Sequence, residues 1–361
     1  MQSLKNTVLN TSEMLQMYFR PFQKPVTDRI LIVQIGDFNQ GRYGFQLINY
    51  LHLAGYHIAF YKSRAFLNKL HSYDRLIFKL PGVSFFNKKI INAQKQVDFL
   101  FLTNNKNVKA PVACNITYEL SLDYFSKKND SAPPGLRLPF FIHPLMNQYL
   151  PIKKQKKRNR ILFYGSDDAG YDSEVIKNRF QLMSRSEVYR IIEKSGLDFI
   201  SPDSYELLEQ HLSDPEIKNA FFFLNSSKVW IPAHRWMNVL ASFDFFIATP
   251  GISMPHSHNI IEAMCVETVT VLQYADWFFP SLIHEKNAIH FKSETELISR
   301  IKELLRADHK QIEELRTNSY AYFSTFINPR NFIAKADAIN EKKIELLFNA
   351  EELSLKQTNH Y

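Results

Sequence analysis

Residues 243–251 (FDFFIATPG) run from a short apolar strand into a Pro-Gly turn, and residues 252–257 carry that turn through a polar loop into a helix that begins at His258. A strand whose carboxyl end feeds a helix N-terminus leaves unpaired backbone N–H groups and the positive end of the helix dipole in the crevice where open α/β sheets bind ligands. Such a site selects an anion, and a phosphorylated ligand is its natural guest. On the helix, at ~100° per residue, Ile260, Ile261, Met264 and Cys265 share one arc while His258 and Glu262 share the neighbouring polar edge. The arc is expected to pack on the sheet and the polar edge to face the crevice. Glu262 would then accept hydrogen bonds from ribose hydroxyls while His258 and the backbone amides hold a diphosphate, a division of labour that suits a nucleotide sugar. Gly251, Ser253, His256, Ser257 and Asn259 lie on the same stretch and join the candidate ligand contacts. Two blander readings stand beside this one: Glu262 complements the positive helix terminus, and the histidines fill a polar loop. A metal reading is disfavoured, because His256, His258 and Glu262 follow no established zinc spacing and lack a fourth ligand nearby.

The elements that must position this loop follow one grammar, stated twice. Residues 29–36 form a continuous apolar run typical of a parallel strand covered on both faces; a glycine-punctuated loop, a helical pattern over 45–55 and a second strand at 57–61 complete a β-α-β opening. The glycines of that loop miss the register of a dinucleotide fingerprint, so a nicotinamide or flavin site is disfavoured. Further strands are predicted at 75–78 and 97–102. A polar, basic stretch reaching Arg160 reads as a linker, after which strands are predicted at 160–166, 198–200, 243–247, 268–274 and 288–291. Residues 221–224 are a strand or a buried helix end, and helical periodicity marks 186–194, 236–241, 294–305, 309–326 and a final helix over about 331–353. The expected organisation is an α/β domain over 1–150, a second over 151–330, and a C-terminal helix, 331–361, returning to the first.

Composition bounds the function. In 361 residues, 45% apolar and 22% charged, the chain has a soluble globular balance with room for two domains. Cys114 and Cys265 follow no metal spacing and are expected as free thiols in a reducing compartment. No apolar run approaches the ~20 residues of a membrane span, and the N-terminus lacks the order of a signal peptide, so a cytoplasmic location is expected. The net charge is +8, and its densest run, Lys153 to Arg160, carries no interleaved aromatics. That disfavours nucleic acid and leaves a solvated linker or attraction to an anionic membrane surface.

The order Pro250-Gly251, Met254-Pro255, His258-Asn259, Glu262-Ala263-Met264, strand, Pro280-Ser281-Leu282 resembles the donor-binding half of GT-B glycosyltransferases, particularly their exostosin-like branch. The resemblance spans roughly residues 160–330 and is specific only over 243–282. It implies two Rossmann-like α/β domains facing a cleft, with a glutamate at position 262 contacting the donor ribose. Retaining enzymes of this fold carry a first glutamate where Met254 stands, so inversion is the expectation. Where a small glycine usually follows Glu-Ala-Met-x-x, this chain has Glu267.

Within that frame Arg185 and Arg235, each just before a helical pattern, are candidates to neutralise the departing β-phosphate, with surface ion pairing as the alternative for each. Gly165 and Ser166 would let a sugar phosphate approach the backbone. An inverting transferase also needs a general base, for which Asp37 is the first candidate and His143 the second. Asp167-Asp168 is expected to cap a turn. The expected activity is transfer of a sugar from a nucleotide-diphosphate donor to a glycan or lipid-linked acceptor, in bacterial surface polysaccharide synthesis, with no cofactor and no required metal. A nucleotide-sugar epimerase and a non-catalytic carbohydrate- or partner-binding module are the rival readings.

Overall fold

The computed structural model describes residues 27–35, 42–61, 72–86, 97–125, 135–143, 146 and 159–357. It divides into two compact units, Met1–Leu138 with Asn328–Tyr361, and Pro139–Ile327. The boundaries fall at 138/139 and 327/328, where 150/151 and 330/331 were expected. Asp37 and most of the basic run, residues 153–158, lie outside the described residues.

The first unit opens with β1 (Arg29–Gln34), α1 (Arg42–Ala54) and β2 (His57–Phe60), then α2 (Ser72–Ile77), β3 (Val83–Phe85), β4 (Asp98–Thr103), β5 (Ile116–Ser121) and β6 (Gly135–Arg137). β1 pairs in parallel with β2 on one side and β4 on the other, and Ile30, Leu31, Ile32 and Val33 are wholly buried, which is why the strand reads as an unbroken apolar run. The strand predicted at 75–78 is instead the end of α2 and its turn, where Phe78 stacks on Phe85 with centroids 5.0 Å apart. A short apolar run does not separate a strand from a buried helix end.

The second unit contains β7 (Asn159–Gly165), α3 (Glu174–Phe180), α4 (Arg185–Lys194), α5 (Tyr205–Ser213), β8 (Phe221–Asn225), α6 (Ala233–Ala241), β9 (Phe243–Ile247), α7 (His258–Cys265), β10 (Val269–Leu272), β11 (Ile289–His290), α8 (Glu294–Arg306) and α9 (His309–Tyr322). All its ladders are parallel, in the order β11-β10-β9-β7-β8. One sheet face presents Ile161, Phe163, Phe221, Phe223, Phe245, Ile247, Val269 and Val271 to Val188, Ile192, Leu297 and Ile301 of α4 and α8. On the other face Trp236 of α6 meets Phe246 edge-on at 6.2 Å. The expected strand at 198–200 is only a bridge from Ile200 to Phe222.

The C-terminal segment is α10 (Phe332–Ala338), β12 (Lys343–Leu347) and α11 (Glu352–Gln357) rather than one long helix. β12 enters the first unit's sheet between β5 and β6, giving the order β3-β2-β1-β4-β5-β12-β6 with every ladder parallel. Ile344 and Leu346 alternate with Lys343 and Glu345, and Leu347 follows Leu346 directly, a pattern a helical reading absorbs; the pairing partner decides otherwise. Phe332 lies edge-on to Tyr50 and Tyr56, and Arg29 holds Asp337 through two bonds of 2.8 Å. In each sheet the strand order reverses once, between β1 and β4 and between β7 and β9. Outside the carboxyl ends of strands at such a switch point is where doubly wound sheets place their ligands.

Candidate functional site

β7 and β9 deliver Gly165 and Thr249 to the switch point of the second unit. After β7 the chain turns on Ser166, whose buried hydroxyl meets the Ser227 hydroxyl at 2.9 Å and accepts from the Asp168 amide at 3.0 Å. Asp168 then caps the turn over 169–171 by accepting from the Gly170 amide at 2.8 Å. Ser166 is therefore committed to shaping this turn rather than presented to a sugar phosphate. α4 starts at a capping box, Ser184 with Glu187, which fixes the direction of its first residue, Arg185.

Arg185 turns inward. Its Nε donates to Thr249 Oγ1 at 3.1 Å, and its guanidinium carbon lies 4.4 Å above the Tyr171 ring. Gly165 makes room for the Phe163 ring: a Cβ there would sit 2.6 Å from Phe163 Cζ, and in ordinary contact, 3.5 Å, with Arg185 Cγ. Burial holds the guanidinium below its usual pKa, and the groups that oppose this are the phenols of Tyr171, Tyr274 and Tyr164, with no carboxylate among them. Among the described residues this half-buried cation meets phenols and a hydroxyl but no carboxylate, an arrangement that an anion could complete.

Thr249 ties this cation to α7. Its carbonyl accepts from the Tyr274 hydroxyl at 3.1 Å and from the Ser257 hydroxyl at 3.3 Å. Ser257 is the N-cap of α7; its hydroxyl donates to Thr249 and makes no side-chain cap to the leading amides of the helix. The loop between folds back on Gly251, where a Cβ would lie 2.8 Å from the His256 carbonyl oxygen and 3.0 Å from that of Met254. Ser253 and Asn259 lie half-buried on either side of this N-cap.

Several sequence expectations are corrected here. His256 is buried, its Nε2 donates to the Trp277 carbonyl at 2.8 Å, and its ring stacks on Phe140. His258 donates from Nδ1 to the Phe141 carbonyl at 2.7 Å and stacks on Phe140 at 4.8 Å, so it anchors residues 140–141 instead of pointing its Nδ1 at a ligand. Glu262 is 1% exposed, not on an open polar edge: Oε2 accepts from Trp236 Nε1 at 2.6 Å and Oε1 from the His143 amide at 3.1 Å. Burial pushes its carboxyl up to about 7 against the pull of those two donors. The reason is tertiary: α6 packs Trp236 over the helix edge that periodicity alone assigns to solvent. Arg235 is exposed and pairs with Glu209 of α5 at 3.9 Å, the surface ion pair named as its alternative. His143 offers its backbone to Glu262 and its ring, edge-on at 5.2 Å, to His258.

The structure thus brings together Gly165, Arg185, Gly251, Ser257 and the first turn of α7. Thr249, Tyr171, Tyr274 and Trp236 belong with them and were missed. Thr249 was findable, as the residue just beyond a buried strand; the aromatic residues carry no sequence signal. Among the described residues no group of three or more His, Cys, Asp or Glu is arranged to hold a metal ion, and no helix is long and apolar enough to cross a membrane.

The chain is a two-unit, parallel α/β protein. No protein-family model matches it, and no curated protein matches it in sequence. Among solved structures it is similar to glycosyltransferases of the GT-B fold. Sucrose-phosphate synthase from Thermosynechococcus elongatus is 12% identical, with 86% of this chain and 97% of that one covered and a TM-score of 0.37. Anabaena HepE in complex with UDP is 12% identical over 86% and 100%, with a TM-score of 0.43. T4 phage beta-glucosyltransferase is 12% identical over 86% and 97%, with a TM-score of 0.37. At such scores the likenesses assign neither a family nor an activity, and the chemistry rests on the site.

Proposed function

We propose that this chain is a glycosyltransferase whose donor, a nucleoside-diphosphate sugar, binds at the carboxyl edge of the second unit's sheet. The observation that carries the reading is Arg185: a half-buried cation with no carboxylate beside it among the described residues, linked through Thr249 and Ser257 to the start of α7, at the strand-order switch. Arg185 and the leading amides of α7 take the diphosphate, and Gly251 keeps the loop between them tight.

In the reaction an acceptor hydroxyl oxygen attacks the anomeric carbon and the bond from that carbon to the β-phosphate oxygen breaks, so that the nucleoside diphosphate leaves with an added negative charge. Arg185 and the helix terminus stabilise that charge without a metal. The acceptor's proton goes to a general base, for which Asp37 remains the candidate. A single displacement inverts the anomeric carbon, in keeping with Met254, 2% exposed, standing where retaining relatives place a glutamate. The exostosin-like resemblance, a glycan or lipid-linked acceptor taken up by the first domain, and work at an anionic membrane surface belong to the same proposal.

A thermal-shift screen against UDP, GDP, CMP and dTDP and their sugar conjugates, with and without EDTA, tests it. A chelator-insensitive rise for one nucleotide series, abolished by Arg185→Ala, supports the donor site. Absence of any shift, or a shift that survives Arg185→Ala unchanged, sinks it. Binding without sugar transfer to any acceptor would favour the binding-module reading.

A further inference from the structure

Residues 140–143 are tied to the rest of the second unit through His256, His258 and Glu262. The Phe140 ring stacks on His258 (4.8 Å, 23°) and on His256 (5.6 Å, 29°), the Phe141 carbonyl accepts from His258 Nδ1, and the His143 amide donates to Glu262 Oε1. Glu262 is itself held by the Trp236 indole at 2.6 Å. A carboxylate suited to receiving ribose hydroxyls keeps its lone pairs at the surface. Glu262 is instead buried against two protein donors and without a cationic partner among the causes that set its pKa. Burying a carboxylate in this way is expensive and is retained where it specifies a geometry. The geometry specified here is that of His143, whose half-buried imidazole stands perpendicular to His258, the first residue of α7, with centroids 5.2 Å apart.

We infer that Glu262 is a positioning residue: by accepting the His143 amide it clamps residues 140–143 onto α7 and sets the His143 imidazole beside the opening turn of that helix, where it meets the bound diphosphate. The clamp stands on the hydrogen bonds alone, and its use rests on the donor reading above. Glu262→Gln keeps the volume but presents an amide N–H to one of two donors, so it satisfies only one of them. Trp236→Phe removes the indole donor and keeps most of the buried ring.

The test has two arms on the full chain. In hydrogen exchange, Glu262→Gln is expected to speed exchange over residues 140–143 by about tenfold or more, and Trp236→Phe by about threefold. In NMR titration of the His143 ring, saturating UDP or GDP, whichever binds, is expected to raise the imidazole pKa in the wild type. That response is lost in Glu262→Gln while the Arg185-dependent thermal shift persists. Unchanged exchange in both variants overturns the clamp. A His143 titration unmoved by a nucleotide that binds overturns its use, as does loss of all binding in Glu262→Gln with exchange unaltered, which would make Glu262 a direct contact. Failure of every nucleotide to bind removes the donor reading and leaves the exchange arm to decide the clamp by itself.

Discussion

In the proposed donor site Arg185 combines a ligand contact with a folding penalty, because desolvating a guanidinium with no acid beside it among the described residues disfavours the empty state. Arg185→Ala is therefore expected to weaken nucleoside-diphosphate binding by about 10- to 100-fold, as loss of a charge-assisted contact does, while leaving the melting temperature unchanged or higher; calorimetric titration beside thermal unfolding checks both. Glu262 gives the pH signature. Its carboxyl rises from 4.5 to about 7 in the fold, so between those values the native chain holds a proton that the unfolded chain has released. Its contribution to stability is full below pH 4.5 and is lost as pH rises from there through about 7, by on the order of 3 kcal/mol. His57 and His290, lowered to about 4 by burial, slope the other way. The difference in unfolding free energy between wild type and Glu262→Gln across pH 4 to 8 therefore isolates the carboxyl, and a pH-independent difference would contradict its burial.

At the scale of elements, the loop from β9 and the two ends of α7 shape the site. Gly251 has backbone oxygens of its own loop where a Cβ would be, and backbone cannot swing aside. Gly251→Ala is expected to lower stability by about 1–3 kcal/mol and to weaken nucleotide binding with it, measured by denaturant unfolding and titration. The far end of α7 closes in a Schellman arrangement, with the Glu267 amide donating to the Met264 carbonyl and the Thr268 amide to the Ala263 carbonyl. Glu267 occupies the left-handed position at φ 64°, where the resemblance expects glycine, and its carboxylate lies 3.6 Å from Arg316 of α9. The ion pair offsets the backbone strain. Glu267→Gly and Glu267→Ala both lose that pair, but only glycine sheds the strain, so the glycine variant should be the more stable of the two by about 1 kcal/mol. Equal stabilities would mean that the strain is negligible.

For the whole molecule, the first unit's sheet is completed from the other end of the chain. β12 lies between β5 and β6, and Arg42 reaches Glu351 at 2.6 Å. A chain ending at residue 327 should lose the fold of its first unit while the second, whose residues end at Ile327, keeps its own core. Limited proteolysis with far-UV circular dichroism would show a protected fragment near residues 139–327. Digestion that spares the first unit would refute the dependence.

Strands β1, β2, β7, β9 and β10 were legible because burial on both faces leaves a continuous apolar run, whereas β3, β5 and β6 were not read, and the arc of α7 was legible because Ile260, Ile261 and Met264 must meet a core. The loop before α7 declared itself through Gly251. What periodicity could not tell is which polar side chain ends in water. Arg185 and Arg235 carry the same signal, a cation at a helix start, yet one turns in to Thr249 and the other pairs with Glu209 at the surface. Glu262 and β12 were misread for the same reason. Local sequence sets the element and its apolar face, but whether the remaining face is covered depends on residues far along the chain: Trp236 and His143 for Glu262, β5 and β6 for residues 343–347. Packing between distant segments, which no local pattern encodes, decided which charges turn inward and which stay in water.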